Sequence, residues 1–344
     1  MEQIRIGVAG LGNWGKNVVR CFARAKGAEL RMICDVDPGK LAAQTALYPA
    51  AAATSDLETL LANPELDAIA LATPAPTHFA LGMRALKAGK HLFVEKPMTL
   101  SAADAAALCA AARRAGRTLM VGHLLEYHSS VAWMKDYLDS GELGTPLYMY
   151  SQRLNLGIVR SDENALWSLA PHDISVILYL FGAVPDRVAA HGASYLQPGI
   201  EDVVFINLHF PDGRTAQIHV SWLDPHKERK MVLVGTKSMV VFDDMSPMEP
   251  IRVYHKGADV TGQLDGPALV TVRHGDVLIP HFSGGEPLQA ECQHFIDAIR
   301  QGTPPRSDGL DGLRVVRVLA AADASLKAGG QPVQVACEEG MMTG

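Results

Sequence analysis

The sequence predicts an α/β protein of two domains, in which a doubly wound parallel sheet precedes a large, mainly antiparallel open sheet with helices on one face. The 344 residues amount to about two domains of ordinary size. Short, wholly apolar runs alternate with helical patterns up to residue 122, which is typical of a parallel sheet covered on both faces. Beyond it, apolar and polar residues alternate over 215–223, as in a half-exposed strand. The predicted domains are residues 1–122 and 123–344.

Strands and helices are predicted to alternate throughout the first domain. The strands are expected at Ile4–Ala9, Leu30–Cys34, Ala68–Ala72, His91–Val94 and Thr118–Val121. The helices are expected at Trp14–Lys26, Pro38–Leu47, Leu57–Leu61, His78–Ala88 and Ala102–Ala115. The last of them has a local start signal, because Ser101 precedes Asp104 by three residues, as in a capping box.

The second domain is predicted to contain two hairpins. Val203–Phe210 and Thr215–Leu223 flank a turn-rich segment, Pro211-Asp212-Gly213-Arg214, which favours the first hairpin. Lys230–Val234 and Met239–Asp243 are joined through a short glycine-containing segment and form the second. A helical pattern at 310–328 follows near the end of the chain.

The composition excludes partners that need strong charge or long apolar segments. Lys and Arg number 31 and Asp and Glu number 37, for a formal charge of −6, so the clustered positive charge that nucleic acid requires is missing. The longest apolar stretches fall well short of the roughly 20 residues that cross a bilayer. The sequence starts directly with a strand-like segment, so we expect no signal peptide and no membrane partner.

The cysteine and histidine patterns indicate neither a disulfide framework nor a metal site. Five cysteines lie far apart and form no C-x-x-C pair: Cys21, Cys34, Cys109, Cys292 and Cys337. They favour reduced thiols in a cytoplasmic protein. No histidine spacing matches a metal site, so no metal is expected.

A glycine-rich turn predicts a dinucleotide site. Gly10-Leu11-Gly12-Asn13-Trp14-Gly15 follows the first strand and opens the first helix, and Asp35 lies twenty positions beyond Gly15. This is the context of a Rossmann fingerprint: Gly10 permits the tight turn, Gly12 lets a pyrophosphate approach, and Gly15 allows the helix to pack on the sheet. Asn13 and Trp14 are expected to line the cofactor. The alternative is a purely structural turn.

Asp35 favours NAD over NADP as the cofactor. At the end of the second strand its carboxylate would accept hydrogen bonds from the ribose hydroxyls and repel a 2′-phosphate. No Arg or Lys follows it closely, since the next residues are Val36, Asp37 and Pro38.

Glu95-Lys96-Pro97 ends a predicted parallel strand, where ligands of open α/β sheets bind. Lys96 is therefore expected near the nicotinamide, and the bond before Pro97 is a candidate for a cis peptide. The alternative is a solvated charge pair.

Four segments together resemble the Gfo/Idh/MocA oxidoreductase family over nearly the whole chain. They are GLGNWG, TPAPTH at Thr73–His78, AGKHLFVEKP at Ala88–Pro97, and HDIS at His172–Ser175. The resemblance implies redox chemistry on a sugar or cyclitol carbon with a bound nicotinamide cofactor. It also implies a homodimer or homotetramer formed through the C-terminal sheet.

The same resemblance implies roles for individual residues. Lys96 corresponds to the catalytic lysine and His172 to the catalytic histidine, whereas the cofactor is lined by Thr73, Pro74, His78 and Glu95. Two positions depart from the family pattern. Ser168 stands where an aspartate precedes the histidine by four residues, and Glu126 stands at the arginine of a GH-x-x-R-F pattern.

The residues around His172 also indicate a general base. Pro171 is expected near the first position of a helix, which places His172 in the first turn. There the helix dipole disfavours the protonated imidazole and leaves a neutral base. The alternative is a histidine that only caps the helix.

The segments at 151–162 and 221–227 are similar to a subgroup that acts on nucleotide sugars, the UDP-N-acetylglucosamine 3-dehydrogenases. These supply a 3-keto sugar to a PLP-dependent aminotransferase on the way to 3-amino sugars of lipid A or other surface polysaccharides. Arg153 and Arg160 are candidate diphosphate ligands, and Asn155 is a candidate for a sugar hydroxyl. The alternative is that both arginines are ordinary surface residues.

Other functions stay open at this point: a dehydrogenase of a free sugar or inositol, an NAD-assisted glycoside cleavage, or a non-catalytic NAD-sensing protein.

Overall fold

The computed structural model describes residues 3–157, 159–261, 269–281 and 284–336. The chain divides into two compact units. The first unit comprises Met1–His128 and Gly285–Arg317, and the second comprises Ser129–Gly284 and Val318–Gly344. This division differs from the predicted domains, 1–122 and 123–344, chiefly because residues 285–317 return to the N-terminal part.

The strands follow one another along the chain with these bounds: β1 Ile4–Ala9, β2 Ala28–Cys34, β3 Ala52–Thr54, β4 Ala68–Leu71, β5 His91–Glu95, β6 Leu119–Gly122, β7 Pro146–Leu154, β8 Arg187–Ala193, β9 Val203–His209, β10 Thr215–Ser221, β11 Glu228–Gly235, β12 Met239–Asp243, β13 Ile251–Tyr254, β14 Gly257–Thr261, β15 Leu269–Arg273, β16 Val277–Leu278 and β17 Val333–Gln334. The helices are α1 Gly15–Arg24, α2 Pro38–Leu47, α3 Leu57–Ala62, α4 Ala75–Lys87, α5 Ala102–Ala115, α6 Ser129–Asp139, α7 Ala165–Phe181, α8 Pro287–Gln301 and α9 Gly309–Lys327, with a 3₁₀ helix at Leu124–Tyr127.

The first unit contains a parallel sheet, as predicted. Its described strands lie in the order β3-β2-β1-β4-β5-β6, and every neighbouring pair is parallel. The order reverses between β1 and β4, whose carboxyl ends therefore form the crevice where such sheets bind ligands. β3 was not predicted, because its three residues are too short to show a periodic pattern.

Three phenylalanines show why α8 belongs to the first unit. Phe22 of α1, Phe93 of β5 and Phe295 of α8 are fully buried. Their ring centroids lie 5.6 to 6.0 Å apart in edge-to-face arrangements, a favoured packing of aromatic side chains. Because α8 supplies one of these rings, it completes the core beside β5.

The second unit contains a mixed, mainly antiparallel sheet, as predicted. Its described strands lie in the order β16-β13-β12-β11-β7-β10-β9-β8-β17. β7 and β10 pair in parallel, and the other neighbours are antiparallel. Both predicted hairpins are confirmed, as β9–β10 and β11–β12. A separate pair, β14–β15, is antiparallel.

α7 packs against β7, β9 and β10. Ala216, Ile218 and Val220 of β10 are buried, whereas Phe205 of β9 is 41% exposed and stacks on His219. The sheet therefore has one covered face and one partly apolar, accessible face. Across the described ranges, no helix has the length and apolar character needed to span a bilayer.

Candidate active site

The glycine turn after β1 has the geometry of a dinucleotide cradle. Gly10 has a φ of +90°, and a side chain there would lie 2.5 Å from the Ala72 carbonyl oxygen. A side chain at Gly15 would collide with the Gly10 carbonyl oxygen, whereas one at Gly12 would meet no described atom within 4 Å. The backbone at Gly12 is thus open to an approaching phosphate, and the residues present fit the pyrophosphate of NAD.

Asp35 directly follows β2 and contacts this turn. Its carboxylate accepts hydrogen bonds from the backbone N–H groups of Leu11, at 2.6 Å, and Asp37, at 2.8 Å. The carboxylate therefore fixes the turn as well as lying at the strand end where the ribose is expected.

Trp14 links the glycine turn to the end of β5. Its indole N–H donates a hydrogen bond to Glu95 Oε1 at 2.7 Å. Burial raises the pKa of Glu95 to about 7, although the Trp14 hydrogen bond and the charge of Lys96 act in the opposite direction. Glu95 also packs on Gly122 of β6, where a side chain would lie 3.0 Å from its carboxyl group. The sequence did not predict this bond, because 81 positions separate the two residues.

Lys96 lies directly after β5, at the carboxyl edge of the sheet. The Lys96–Pro97 peptide bond is cis, as expected. The backbone N–H of Lys96 donates to Glu95 Oε2 at 3.3 Å. Its side chain is only partly buried, in contrast to those of Glu95 and Pro97 on either side.

His78 occupies a different environment from the one predicted. Its side chain is 1% exposed, with Nε2 2.8 Å from the Thr73 carbonyl oxygen and Nδ1 2.9 Å from the Pro97 carbonyl oxygen. Burial lowers the pKa of His78, although the contacts of its ring with the Pro97 and Thr73 carbonyl groups act in the opposite direction. His78 therefore connects the Thr73–Pro74 turn to Pro97 and does not present a ring atom at the surface, because both nitrogens already meet carbonyl groups.

The helix that carries His172 begins earlier than expected. α7 starts at Ala165, and its N-cap Asn164 accepts a hydrogen bond from the Trp167 N–H at 3.1 Å. Pro171 lies inside the helix, so His172 belongs to its third turn and not to its first. The influence of the helix dipole fades within the first turn, so the predicted effect on the imidazole does not apply. Ser168 lies one turn before His172, on the same side of the helix.

Arg153 was a predicted diphosphate ligand, but an ion pair already engages it. Its Nε donates to Asp173 Oδ2 at 2.6 Å, and the two side chains are 12% and 1% exposed. Since Asp173 directly follows His172, this pair anchors the centre of α7 to β7. Asp173 was noticeable in the sequence because it directly follows His172. Nothing in the sequence identified Arg153 as its partner.

Two other predicted substrate ligands lie after β7 in more accessible positions. Asn155 is exposed, and its backbone N–H donates to the Ser221 carbonyl oxygen at 3.2 Å. Arg160 is 48% exposed, and its Nε lies 3.0 Å from Glu163 Oε1.

The described residues include no group of three or more His, Cys, Asp or Glu side chains arranged to hold a metal ion. Cys21, Cys34, Cys109 and Cys292 are buried free thiols. Cys337 lies outside the described residues.

Similarity to known proteins agrees with this geometry. Residues 4–123 match a model described as an oxidoreductase family with an NAD-binding Rossmann fold, and residues 131–241 match the Gfo/Idh/MocA C-terminal domain. The chain is 30% identical to UDP-N-acetylglucosamine 3-dehydrogenase of Acidithiobacillus ferrooxidans, over 94% of this chain and 96% of that protein. It is 26% identical to scyllo-inositol 2-dehydrogenase (NAD(+)) of Bacillus subtilis, over 97% of both.

The solved structure of the Acidithiobacillus ferrooxidans enzyme superposes with a TM-score of 0.78 at 28% identity, covering 96% of this chain and all of that one. The glycine turn, the open backbone at Gly12 and the acidic residue after β2 all lie within residues 4–123, which match the NAD-binding Rossmann model. The chain therefore belongs to the Gfo/Idh/MocA family of NAD-binding oxidoreductases.

Proposed function

We propose that the protein oxidises the C3 hydroxyl of UDP-N-acetylglucosamine to a 3-keto sugar, with NAD as the acceptor. The observation that carries the proposal is the 30% identity, along 94% of the chain, to a UDP-N-acetylglucosamine 3-dehydrogenase. A PLP-dependent aminotransferase would convert the keto product to a 3-amino sugar for lipid A or another surface polysaccharide. The buried free thiols and the mildly acidic composition support a cytoplasmic enzyme.

In this proposal, bound NAD supplies the acceptor for the hydride that leaves C3. The imidazole of His172 accepts the hydroxyl proton as the hydride departs. The ammonium of Lys96 donates a hydrogen bond to the same oxygen and stabilises its developing negative charge. Glu95, held by Trp14, fixes the strand end from which Lys96 projects.

The accessible residues after β7 are the proposed contacts to the nucleotide sugar. Arg160 offers a guanidinium group that remains 48% exposed beside Glu163, so it can turn toward a diphosphate. Asn155 offers an amide for a sugar hydroxyl. Arg153 acts indirectly, because its guanidinium holds Asp173 next to His172.

A second candidate is the oxidation of a free polyol. The ion pair of Arg153 with Asp173 favours it, since one of the two guanidinium groups expected for a diphosphate is already engaged. The 26% identity to a scyllo-inositol 2-dehydrogenase agrees with a substrate that needs no such group.

We also propose a homodimer or homotetramer that forms through the accessible face of the second unit's sheet. Tyr148 of β7 pairs with Thr215 and Phe205 of β9 pairs with His219, so both lie on this face, where they are 43% and 41% exposed. Apolar side chains grouped on one sheet face are typical of a surface that associates. Sedimentation of the wild type and of Tyr148→Lys tests this assignment, with a smaller species expected for the variant.

The substrate is tested by incubating the protein with NAD and a panel of UDP-N-acetylglucosamine, UDP-glucose, myo-inositol and glucose, and by following NADH absorbance. The proposal expects the highest kcat/KM for UDP-N-acetylglucosamine. A higher value for myo-inositol or glucose would favour the polyol candidate. Release of free sugar without net NADH would indicate glycoside cleavage.

A further inference from the structure

Glu126 stands where the GH-x-x-R-F pattern has an arginine, and the structure gives this departure a partner. It belongs to the 3₁₀ helix that follows β6, and its side chain is 1% exposed. Its carboxyl group lies close enough to that of Asp311, in the first turn of α9, to share a hydrogen bond with it, and within the described ranges the buried oxygens Glu126 Oε1 and Asp311 Oδ2 have no hydrogen-bond partner. Both residues lie in the first unit. A carboxylate has no donor, so two carboxyl groups can form this bond only if one of them carries a proton.

We propose that Glu126 and Asp311 form a carboxyl dyad that holds one proton inside the first unit and presents a single negative charge to His123, which follows the strand end next to that of Lys96. In this role both are positioning residues. The dyad does not depend on which substrate the enzyme oxidises. An experiment can therefore contradict the dyad without contradicting the proposed function, and the reverse.

His123 directly follows β6, and its ring lies near the dyad. Its Nε2 lies 3.9 Å from Asp311 Oδ2. Glu95 of β5 pairs with Gly122 of β6, so Lys96 and His123 directly follow the ends of two adjacent strands. His123 is 1% exposed, and neither ring nitrogen has a hydrogen-bond partner among the described residues. Burial, with a smaller effect of Lys96, lowers its pKa to about 3, so the ring is neutral and can turn one N–H toward Asp311.

The first unit contains a third buried acid. Glu291 of α8 is fully buried, and within the described ranges neither of its carboxyl oxygens has a hydrogen-bond partner. Burial, with the nearby Glu95 and Cys21, raises its pKa well above the usual range. Burial and the neighbouring Asp311 do the same for Glu126, and burial raises the pKa of Asp311 to about 7.

Charged side chains around the dyad change the pKa values of Glu126 and Asp311. The Arg306 guanidinium contacts the Glu126 carbonyl oxygen, lies 5.0 Å from the Tyr127 ring centroid and lowers the Glu126 pKa. Glu291 acts on Glu126 in the opposite direction. Asp308 raises the pKa of Asp311 and Arg314 lowers it. The positive groups favour ionisation of one carboxyl group, that of Asp311, as the pH rises through about 7, whereas the acids oppose ionisation of the second.

The sign of the resulting pH dependence follows from these raised pKa values. A carboxyl group that binds its proton more tightly in the fold than in the unfolded chain stabilises the fold fully only below its unfolded pKa. That contribution is lost as the pH rises through the folded pKa, which is about 7 for Asp311. The unfolding free energy of the wild type should therefore fall between about pH 5 and pH 8.

The dyad is tested with Glu126→Gln and Asp311→Asn, since each amide keeps a hydrogen bond to the remaining carboxyl group. Glu142→Gln, at an exposed site, is the control. Infrared spectra of the full chain at pH 7 should show a protonated-carboxyl band that is weaker in both amide variants and unchanged in the control. In urea titrations from pH 5 to pH 8, the midpoint should fall less in the amide variants than in the wild type.

A band of equal strength in the wild type and both amide variants would overturn the proposal, as would identical pH dependence of the urea midpoints. Failure of both amide variants to fold at pH 5 would also overturn it, because the dyad is protonated there and an amide reproduces its hydrogen bond.

Discussion

The indole N–H of Trp14 donates a hydrogen bond of 2.7 Å to Glu95 Oε1. This bond joins the glycine turn after β1 to the end of β5, the two places where a Rossmann sheet meets its cofactor. It also partly offsets the desolvation of a carboxyl group that is otherwise buried. The acid beside Lys96, the proposed catalytic lysine, is therefore held by the loop that would bind the pyrophosphate.

Trp14→Phe should weaken NADH binding by about tenfold, because loss of a hydrogen bond to a carboxylate costs about 1.5 kcal/mol or more. Removal of the donor should also raise the pKa of Glu95. Fluorescence titration with NADH at several pH values measures both effects. Trp133→Phe, whose ring stacks on Tyr137 in the second unit, is the control and should bind as the wild type does. Equal affinity in all three proteins would contradict the proposed role of the bond.

Glu95→Gln should change how stability depends on pH. The folded pKa of about 7 exceeds the ordinary value of 4.5, so the contribution of Glu95 is complete below about pH 4.5 and is lost as the pH rises through 7. Relative to the wild type, the variant should gain on the order of 3 kcal/mol in unfolding free energy between pH 4.5 and pH 8. Urea unfolding at both pH values measures the difference. If the unfolding free energies of the two proteins differ by the same amount at both pH values, Glu95 has its ordinary pKa in the folded protein.

Arg153→Ala should destabilise the protein by about 3 kcal/mol, because it leaves the Asp173 carboxylate buried without its cation. The matched control is Arg187→Ala, whose guanidinium is 51% exposed and 3.8 Å from Asp186. That change should cost less than about 0.5 kcal/mol. Chemical denaturation gives both numbers. Similar costs for the two variants would mean that the Arg153 pair contributes no more than a surface contact.

Lys96→Ala and His172→Ala should each lower kcat by about 10²-fold or more while NADH affinity stays near that of the wild type. The reason is that both side chains are proposed to act on the reacting hydroxyl and not on the cofactor. Steady-state rates and NADH titration separate the two effects, with the exposed His274→Ala as the control. Full turnover in either of the first two variants would remove that residue from the mechanism.

Much of the fold follows from signals that lie within a few residues of one another. Ser101 accepts a hydrogen bond from the Asp104 N–H at 3.1 Å, as the capping pattern predicted. Gly10 adopts the positive φ that the tight turn requires, and the segment at 211–214 joins β9 to β10. Such features depend on local backbone conformation, which the residue type controls.

Other features depend on contacts that no local pattern specifies. Pro171 resembles the first residue of a helix, but Asn164 supplies the cap one to two turns earlier and moves His172 away from the helix end. Phe295 is far from Phe22 and Phe93 in sequence, yet its ring packs against both of theirs and places α8 in the first unit. Glu126 was visible as a departure from a pattern, yet its partner Asp311 lies 185 positions further along the chain.

The fate of the hydrogen on C3 decides whether the protein is a dehydrogenase of UDP-N-acetylglucosamine at that carbon. The measurement uses UDP-N-acetylglucosamine with deuterium at C3, NAD and the wild-type protein, followed by mass analysis of the NADH that forms. We predict NADH that carries the deuterium, together with a 3-keto sugar nucleotide in equal amount. NADH free of deuterium, or no NADH from this substrate under conditions in which myo-inositol or glucose is oxidised, would contradict the proposed function.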